Sequence, residues 1–229
     1  MLPSSTVENY LKAIYVGETH LAAGQKLVPM GQLAVALGIA PGTATTMVKA
    51  LSESDLVVYE PYNGVRLTPA GQKLAARVLR RHRLIELFLV QVIGMKWDEV
   101  HDDAEQMEHV VSDRLIERID EMLGQPEVDP HGDPIPAADG EMRTDGSECV
   151  PLSSVEPGAE ICVARVTNQD PEFLRFLADS GLTIGAAGRV AQNSAEAGIV
   201  STDFAGRPIA LGHPAARQVQ VRVGGAETV

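Results

Sequence analysis

The chain has 229 residues, of which 45% are hydrophobic and 22% charged; this is the composition of an ordinary globular protein, with room for one large domain or two to three small ones. No stretch approaches the roughly 18 apolar residues of a membrane span, and the opening MLPSSTVENY lacks the features of a secretory signal. The two cysteines form no CxxC pair, which argues against a zinc finger or a disulfide framework and favours a cytoplasmic setting. The net charge of −12 is uneven, since residues 1–96 hold ten basic and six acidic residues and the remainder nine and 25, which indicates a basic functional face in the first part.

The first 54 residues predict three helices, of which the second and third form a helix-turn-helix. Apolar residues recur at helical spacing over 5–20, and Ser5 with Glu8 three positions later matches a capping box. A short helix spans 30–37, and Pro41 opens a third helix through APGTATTMVKALSES.

A β-hairpin is predicted directly after the third helix, where a winged helix-turn-helix has its wing. Residues 56–60 and 65–67 are β-type runs, and the Asn63-Gly64 pair between them favours a tight turn. Small polar side chains at the start of a recognition helix reach base edges, and polar wing residues reach the DNA backbone or minor groove. The residues expected to contact double-stranded DNA are Pro41, Thr43, Thr45, Thr46, Lys49, Tyr62 and Arg66.

Two long helices are predicted next. Thr68 caps the first, which runs to about Ile93 and carries four arginines over 77–83 that form either a DNA-facing or a solvated face. Residues 98–123 have a continuous apolar stripe and predict one amphipathic helix. Residues 124–151, rich in proline and acidic residues, predict an irregular connection.

From residue 152 onward the sequence changes to short alternating runs: EICVARV, GRVAQ, GIVSTDF, RPIAL and QVQVRV, interrupted by the helical patch DPEFLRFLADSG. Short strands with glycine turns predict a small, partly open β-barrel. Its role stays open among four possibilities: it donates a metal ligand, contacts the winged helix, binds a proline-rich segment such as 126–136, or is purely structural.

Histidines and carboxylates border the apolar stripes of the two long helices. They are His82 and Glu86 on the first, and His101, Glu105, Glu108 and His109 on the second. Such a row beside a core is unfavourable unless something pairs with it. A divalent cation satisfies all of these groups at once, since neutral imidazole and carboxylate are ligands of first-row metals. Taken singly, each residue also fits a solvent-facing role.

The chain resembles the diphtheria-toxin-repressor family of metal-dependent regulators, which includes manganese-transport regulators. The resemblance covers nearly the whole chain and rests on VENYLKAIY, VVYEPYNGVRLTPAG, RRHRLIE, HDDAEQMEHVVSD and HGDPIP. It implies a mainly α protein with some β structure: a winged helix-turn-helix domain (1–73), a helical dimerisation and metal-binding domain (74–142), a linker (143–151) and an SH3-like C-terminal barrel (152–229). It further implies that the protein is a homodimeric repressor of metal-homeostasis genes and not an enzyme. The repressor would bind a palindromic operator when it holds Mn(II) or Fe(II), with about two ions per subunit.

The resemblance also implies the metal ligands. The primary site would take Asn9, Glu105, Glu108 and His109, and the ancillary site would take His82, Glu86 and His101. Some relatives have Cys-Pro-His-Gly in the linker where this chain has Asp129-Pro130-His131-Gly132, so that Asp129 and His131 are weaker candidates. Asp170, with its neighbours Gln169 and Glu172, is a weaker candidate from the barrel.

The departures from the family pattern bear on the choice of metal. Iron-type members have Met and Cys at the positions where this chain has Asn9 and Glu105. Manganese-type members have Asp at the position of Asn9 and Glu at the position of Lys12. Oxygen and imidazole donors without a thiolate favour Mn(II), and after it Fe(II), over zinc or copper. Lys12 puts an ammonium where a second close metal would otherwise sit, so we expect well-separated metals and not a tight pair.

Two other classes of protein remain open on the residues alone. One is a winged-helix regulator that senses an organic ligand or nothing at all. The other is a metalloenzyme, although the chain contains no HExxH, GxSxG or P-loop motif.

Overall fold

The computed structural model describes residues 4–22, 24–144 and 149–224. In chain order its elements are α1 (Ser5–Thr19), α2 (Met30–Ala36), α3 (Pro41–Glu53), β1 (Val57–Glu60), β2 (Gly64–Leu67), α4 (Pro69–Phe88), α5 (His101–Met107), α6 (Asp113–Met122), β3 (Val150–Pro151), β4 (Glu160–Val166), α7 (Pro171–Asp179), β5 (Ala187–Ser194), β6 (Ile199–Phe204), β7 (Arg207–Gly212), α8 (His213–Arg217) and β8 (Val219–Val223). Contacts divide the chain into two compact units. The first holds residues 1–82, 105–116 and 136–143, and the second holds 83–104, 117–135 and 144–229.

The first unit contains the predicted helix-turn-helix. Helices α2 and α3 meet at 104°, within the usual range for this motif. Their inward faces join α1 and the β1–β2 hairpin in one apolar core that includes Leu11, Ile14, Leu33, Val48 and Val65. Helix α1 begins as predicted, but the capping box is wrong: Ser4 is the N-cap and accepts from the Val7 amide, which leaves the Glu8 side chain available for another partner.

The hairpin has a longer turn than the Asn-Gly pair predicted. Glu60 pairs with Gly64, so three residues form the turn, and Tyr62 at its tip takes the left-handed conformation. Gly64 is needed for a different reason, because a Cβ there would overlap the carbonyl oxygen of Val28, which bridges to Val65.

Helix α4 is capped by Thr68, whose Oγ1 accepts from the Gly71 amide at 3.1 Å. Its last turn, Leu89–Ile93, is a π-helix, and the left-handed Gly94 ends it. The predicted helix therefore ends where expected.

The single helix predicted over 98–123 is wrong, because the chain leaves the helix after Met107 and re-enters it at Asp113. Ser112 starts the second helix: its Oγ accepts from the Leu115 amide at 3.3 Å and its carbonyl accepts from the Ile116 amide at 3.1 Å. The uniform apolar stripe also fails, since Leu115 is 50% and Met122 65% exposed while Ile119 is buried.

The second unit contains the predicted C-terminal strands. They form a six-stranded antiparallel sheet in the order β3-β8-β4-β5-β6-β7 around a core that α7 covers with Leu174 and Leu177. The irregular segment before it packs on β4: the Val166 amide donates to the His131 carbonyl at 2.8 Å. Gly132 has a φ of +85°, and a Cβ on it would overlap the Ala164 carbonyl.

Among the described residues, no single helix is long and apolar enough to cross a membrane; α2 and α3 reach the required length and composition only when counted together.

Candidate metal centres and DNA-reading surface

The predicted reading residues lie on the exposed side of α3. Ala44, Val48 and Leu51 are buried in the core, which turns Thr43, Thr46 and Lys49 outward, with Pro41 exposed at the first turn and Thr45 half-buried. The Thr45 hydroxyl donates to the Pro41 carbonyl at 2.9 Å and the Thr46 hydroxyl to the Gly42 carbonyl at 3.0 Å. Their oxygens therefore remain available as acceptors, and the wing presents Tyr62, fully exposed, and the exposed Arg66.

The arginines of α4 form neither a solvated nor a DNA-facing patch. Arg80, Arg81 and Arg83 are all buried. Arg81 donates to Asp113 at 2.6 Å, and this hydrogen bond lowers the pKa of the Asp113 carboxyl; Arg77 donates to the same carboxylate at 2.8 Å. These side chains hold α4 to the start of α6 within the first unit.

The first candidate metal centre lies at the end of α5. Glu108 is completely buried, and its Oε2 lies 2.6 Å from Nδ1 of His82 on α4. The Lys12 ammonium on α1 lies 2.5 Å from Glu105 Oε1, and 2.7 and 2.9 Å from the two oxygens of Glu108. Ligand atoms of His82, Glu105 and Glu108 all come within 4.8 Å of one another.

His109 is oriented toward this centre by a residue that the sequence reasoning assigned to a cap. Its Nδ1 lies 2.6 Å from Glu8 Oε2, so it donates to that carboxylate and Nε2 keeps its lone pair. Nε2 is buried, has no hydrogen-bond partner among the described residues, and lies 3.4 Å from Glu108 Oε1. The side-chain oxygen of Asn9 on α1 is likewise buried, and it too has no hydrogen-bond partner among the residues that the structure describes.

These atoms fit the predicted primary site. Glu105 and Glu108 offer carboxylate oxygens at this centre, and the Asn9 oxygen and His109 Nε2 are buried with no hydrogen-bond partner among the described residues. Buried polar atoms are normally satisfied, and a divalent cation is one partner that would satisfy both of these acceptors.

The second candidate centre belongs to the second unit. Glu86 lies on α4, and Asp129 and His131 lie in the irregular linker segment 124–151. All three side chains are buried, and their ligand atoms lie within 4.8 Å of one another. Nδ1 of His131 is 3.8 Å from Glu86 Oε2 and 3.9 Å from Asp129 Oδ1. His101 adds a half-exposed imidazole, 3.3 Å from Glu86 Oε1.

Hydrogen bonds fix the linker donors in a form suited to a cation. His131 Nε2 lies 2.9 Å from the Trp97 carbonyl, which can only accept, so Nε2 carries the hydrogen and the buried Nδ1 keeps a lone pair. Trp97 also stacks on the ring at 5.9 Å between centroids. Asp129 Oδ1 accepts from the His131 and Asp133 amides, while Oδ2 has no hydrogen-bond partner among the described residues.

Asp129 is poorly stabilised without such a cation. Burial raises the pKa of its carboxyl well above the usual value, and the negative charges of Asp133 and Glu86 raise it further, against the opposing effect of Arg83. Asp129, Asp133 and Glu86 bring three carboxylates together, and Arg83 lies 3.7 Å from Asp129 and 3.9 Å from Asp133, so further positive charge would stabilise the group.

Two predicted ligands have other contacts in the structure. His82, predicted beside Glu86 and His101, pairs with Glu108 in the first unit. Asp170 caps α7, since its Oδ1 accepts from the Glu172 and Phe173 amides, and Gln169 donates to Asp133 at 2.8 Å. Their assignment as ancillary ligands stays a prediction.

Comparison with known proteins matches each part of the chain to one family. Residues 3–65 match the iron-dependent repressor N-terminal DNA-binding domain, residues 68–137 the iron-dependent repressor metal-binding and dimerisation domain, and residues 150–223 the FeoA domain. The diphtheria toxin repressor of Corynebacterium glutamicum is 34% identical over 191 residues, which cover 79% of this chain and 81% of that protein. The chain belongs to the diphtheria-toxin-repressor family.

Other members of the diphtheria-toxin-repressor family are similar over nearly all of their length. The iron-dependent repressor IdeR of Mycobacterium tuberculosis is 30% identical over 228 residues, or 94% of this chain and 96% of that one. Among solved structures, a manganese-dependent transcriptional repressor in complex with manganese has a TM-score of 0.85 at 39% identity, covering 95% of this chain and all of the other. ScaR with bound Zn²⁺ has a TM-score of 0.76 at 32% identity, covering 96% and 99%.

Membership of the diphtheria-toxin-repressor family confirms the expected fold class: a winged DNA-binding domain, a helical dimerisation domain and a C-terminal antiparallel, SH3-like sheet. The domain boundaries at 73, 142 and 151 stay predictions. Sequence reasoning missed Glu8 and Trp97 as partners of the histidines, because each contact joins positions far apart in the chain. It noticed Lys12 but not that its ammonium lies on the carboxylates.

Proposed function

We propose that this protein is a metal-dependent transcriptional repressor that controls metal-homeostasis genes. The observation that carries the proposal is that Asn9 and His109 each bury an acceptor atom with no hydrogen-bond partner among the described residues, in the same compact unit as the helix-turn-helix. The exposed polar residues of α3 support DNA binding, the two candidate centres support metal binding, and the family consists of repressors that do both. A winged-helix regulator without a metal would leave those two buried acceptors unexplained.

Mn(II) is the metal we propose, with Fe(II) second. The donors of both centres are carboxylates, imidazoles and one amide oxygen, with no thiolate, and this set suits a hard divalent ion. Asn9, Glu105, Glu108 and His109 would hold one ion, and Glu86, Asp129 and His131, with His101 beside them, would hold another. When bound, the ion supplies positive charge that neutralises these carboxylates and satisfies the orphaned donors.

Helix α1 connects the first centre to the helix-turn-helix. Asn9 lies on this helix, which packs against α2 and β2, so a fixed α1 also fixes the motif that carries α3. In a homodimer, two copies of α3 must sit about 34 Å apart to enter successive major grooves of a palindromic operator. Asn9, drawn toward Glu105 and Glu108, therefore favours the DNA-competent arrangement as a shift of population.

We further propose that the protein works in the cytoplasm, where its DNA target lies, and has no enzymatic activity. The support for this part is that the family consists of transcriptional repressors. Turnover of an ester or phosphate substrate that stops on chelation would contradict this part.

The decisive experiment measures DNA binding with and without metal. Operators are first selected from random duplexes by the Mn(II)-loaded protein, and affinity is then measured in Mn(II) and in chelator. We expect binding to weaken by about 5–150-fold in chelator, the usual range of an allosteric coupling. Equal affinity in the two conditions would contradict metal dependence.

Glu108→Ala should lose the metal response, whereas the matched control Glu196→Ala, which removes an exposed carboxylate on the β5–β6 turn, should keep it. Asp129→Asn tests the second centre separately. It keeps Oδ1 as an acceptor for the two amides, and the number of Mn(II) ions bound per subunit should fall by one.

A further inference from the structure

Lys12 places a positive charge inside the first metal centre. Its ammonium contacts one oxygen of Glu105 and both oxygens of Glu108, at 2.5 to 2.9 Å. These carboxylates are the acidic donors of the centre. The ammonium therefore uses the same oxygens that a divalent ion would use.

The contact is sheltered from water. The Lys12 side chain is 12% exposed and the Glu108 side chain is fully buried. A buried ion pair is expensive to break by removing one partner, because the other charge is then left without compensation. The ammonium offsets one of the two negative charges of Glu105 and Glu108, so it reduces the repulsion between them without removing it.

We propose that Lys12 is a tethered cation that occupies the first centre of the metal-free protein and has to leave before the metal ion binds, so that Lys12 sets the metal affinity of this centre. The inference rests on the proposed function. A divalent ion and an ammonium on the same carboxylate oxygens repel each other strongly at such short range. The flexible four-carbon stem of lysine allows its ammonium to withdraw without movement of α1, which Tyr10, Leu11 and Ile14 anchor in the core.

The position of Asn9 completes the exchange. It precedes Lys12 by three residues, about 4.5 Å along α1, and lies on the same side of that helix. In the metal-free protein Lys12 makes the link from α1 to Glu105 and Glu108, and the Asn9 oxygen has no partner among the described residues. In the metal-bound protein Asn9 takes over the link, one turn earlier on the helix.

The test is calorimetric titration of Mn(II) into the full chain carrying Lys12→Met, which keeps the length of the side chain and removes its charge. Asp129→Asn is included in every protein so that only the first centre titrates. A lysine that occupies the centre most of the time lowers the apparent affinity by the fraction of protein in which it has left, so Lys12→Met should bind about tenfold more tightly or better. Lys12→Arg keeps the charge and should gain nothing, and the matched control Lys96→Met, at an exposed position of the second unit, should bind as the parent does.

Thermal unfolding provides a second measurement. In chelator Lys12→Met should unfold at a lower temperature than the parent, and added Mn(II) should raise its transition by more than it raises the parent's. A lysine with only a structural role would lower the transition equally in both conditions. Should Lys12→Met not fold in chelator, Lys12→Gln replaces it, with the same expectation.

The outcomes separate the inference from the proposed function. Equal or weaker Mn(II) affinity in Lys12→Met than in the parent overturns the inference and leaves the proposed function standing. No Mn(II) binding at this centre in any of the proteins overturns the proposed function.

Discussion

At the scale of single residues, the histidines of both centres depend on a partner for the nitrogen that faces away from the site. Glu8 holds Nδ1 of His109 at 2.6 Å, and the Trp97 carbonyl holds Nε2 of His131 at 2.9 Å. Each partner fixes the ring orientation and the tautomer, and a carboxylate partner also makes the imidazole a stronger donor. The partners therefore help to set the metal affinity of the centres.

Glu8→Gln tests this for the first centre. The amide keeps the shape of the side chain but removes its charge, so the His109 ring is no longer held as a strong donor. We expect Mn(II) affinity at the first centre to fall by about 10–100-fold, the usual cost of losing such a partner, as measured by calorimetric titration. Glu196→Gln is the control, and unchanged affinity in Glu8→Gln would show that the contact only supports the fold.

Residue types were predictable from the sequence to a greater degree than their contacts. Carboxylates and imidazoles beside an apolar stripe predict a cation site, and the family pattern supplied Asn9 and the linker pair. Nothing local signals that Lys12 contacts Glu105 and Glu108, because 93 and 96 positions separate them. Glu8 three positions after Ser5 gave a false local signal, since the capping role went to Ser4.

At the scale of elements, α4 is joined to the start of α6 by Asp113, which accepts from Arg81 and Arg77. The hydrogen bond from Arg81 holds the pKa of Asp113 below its ordinary value. A carboxyl whose pKa is lower in the folded state binds fewer protons there than in the unfolded chain. Its stabilising contribution is therefore present above the unfolded pKa of about 4 and is lost as the pH falls through the folded pKa.

Asp113→Asn should therefore lower the free energy of unfolding at pH 7, and this loss should shrink as the pH falls below about 4 toward and through the folded pKa. The Asp113 side chain is 59% exposed, so solvent screens the pair, and we expect a loss of about 0.5 kcal/mol. Urea unfolding in chelator across this pH range measures it, with Asp179→Asn as the control for loss of an exposed carboxylate. A constant difference between variant and parent at every pH would contradict the assignment.

Helix α6 exposes two large apolar side chains. Leu115 and Met122 are seven positions apart, hence on the same side of the helix, and they are 50% and 65% exposed. The region lies within the match to the metal-binding and dimerisation domain. Leu115→Glu should convert the dimer to a monomer at micromolar concentration because it buries a charge in the interface.

Sedimentation or light scattering would detect the change, and Glu117→Lys, at an exposed position nearly opposite Leu115 on the same helix, is the control. A dimer that persists in Leu115→Glu would place the interface elsewhere.

Helices and strands were predicted correctly where the sequence carried both the periodicity of the element and a signal for its start or end. Capping by Thr68, the stop at Gly94 and the alternation of the C-terminal strands each gave the observed element. The break between α5 and α6 was missed because the apolar spacing continues across it. There a backbone-binding serine and a completely buried Glu108 outweigh the periodicity.

At the scale of the whole molecule, the charge separates along the sequence. The first 96 residues carry a net charge of +4 on a chain of −12 overall. Much of this excess is internal, since the buried arginines of α4 bind carboxylates and carbonyls of the protein. The charge that remains for DNA is concentrated on residues such as Lys49 and Arg66.

Lys49→Ala should consequently weaken binding to all duplexes about equally if the ammonium meets a phosphate, and should reduce the slope of log affinity against log salt by about 1. Anisotropy titrations of labelled duplexes at several salt concentrations measure both quantities. Lys96→Ala should change neither, and a loss confined to one base pair of the operator would assign Lys49 to a base.

The two compact units of the structure were not predictable from the sequence, and the predicted domain division stays a prediction. Composition and element type change at the start of the C-terminal strands, which marks that boundary. The two compact units, however, divide within α4 and share the linker, since side chains from distant stretches decide which backbone packs with which. Patterns read along a chain do not contain that information.

Gly132 shows what this means for how such proteins can be recombined. Its missing side chain lets the linker lie directly on the Ala164 carbonyl of β4, next to His131. A graft that exchanged only residues 150–223 would place a foreign strand under this loop and displace an imidazole outside the grafted stretch. The transferable module therefore begins at about Asp129, and chimaeras cut there should retain a metal response that chimaeras cut at residue 150 lose.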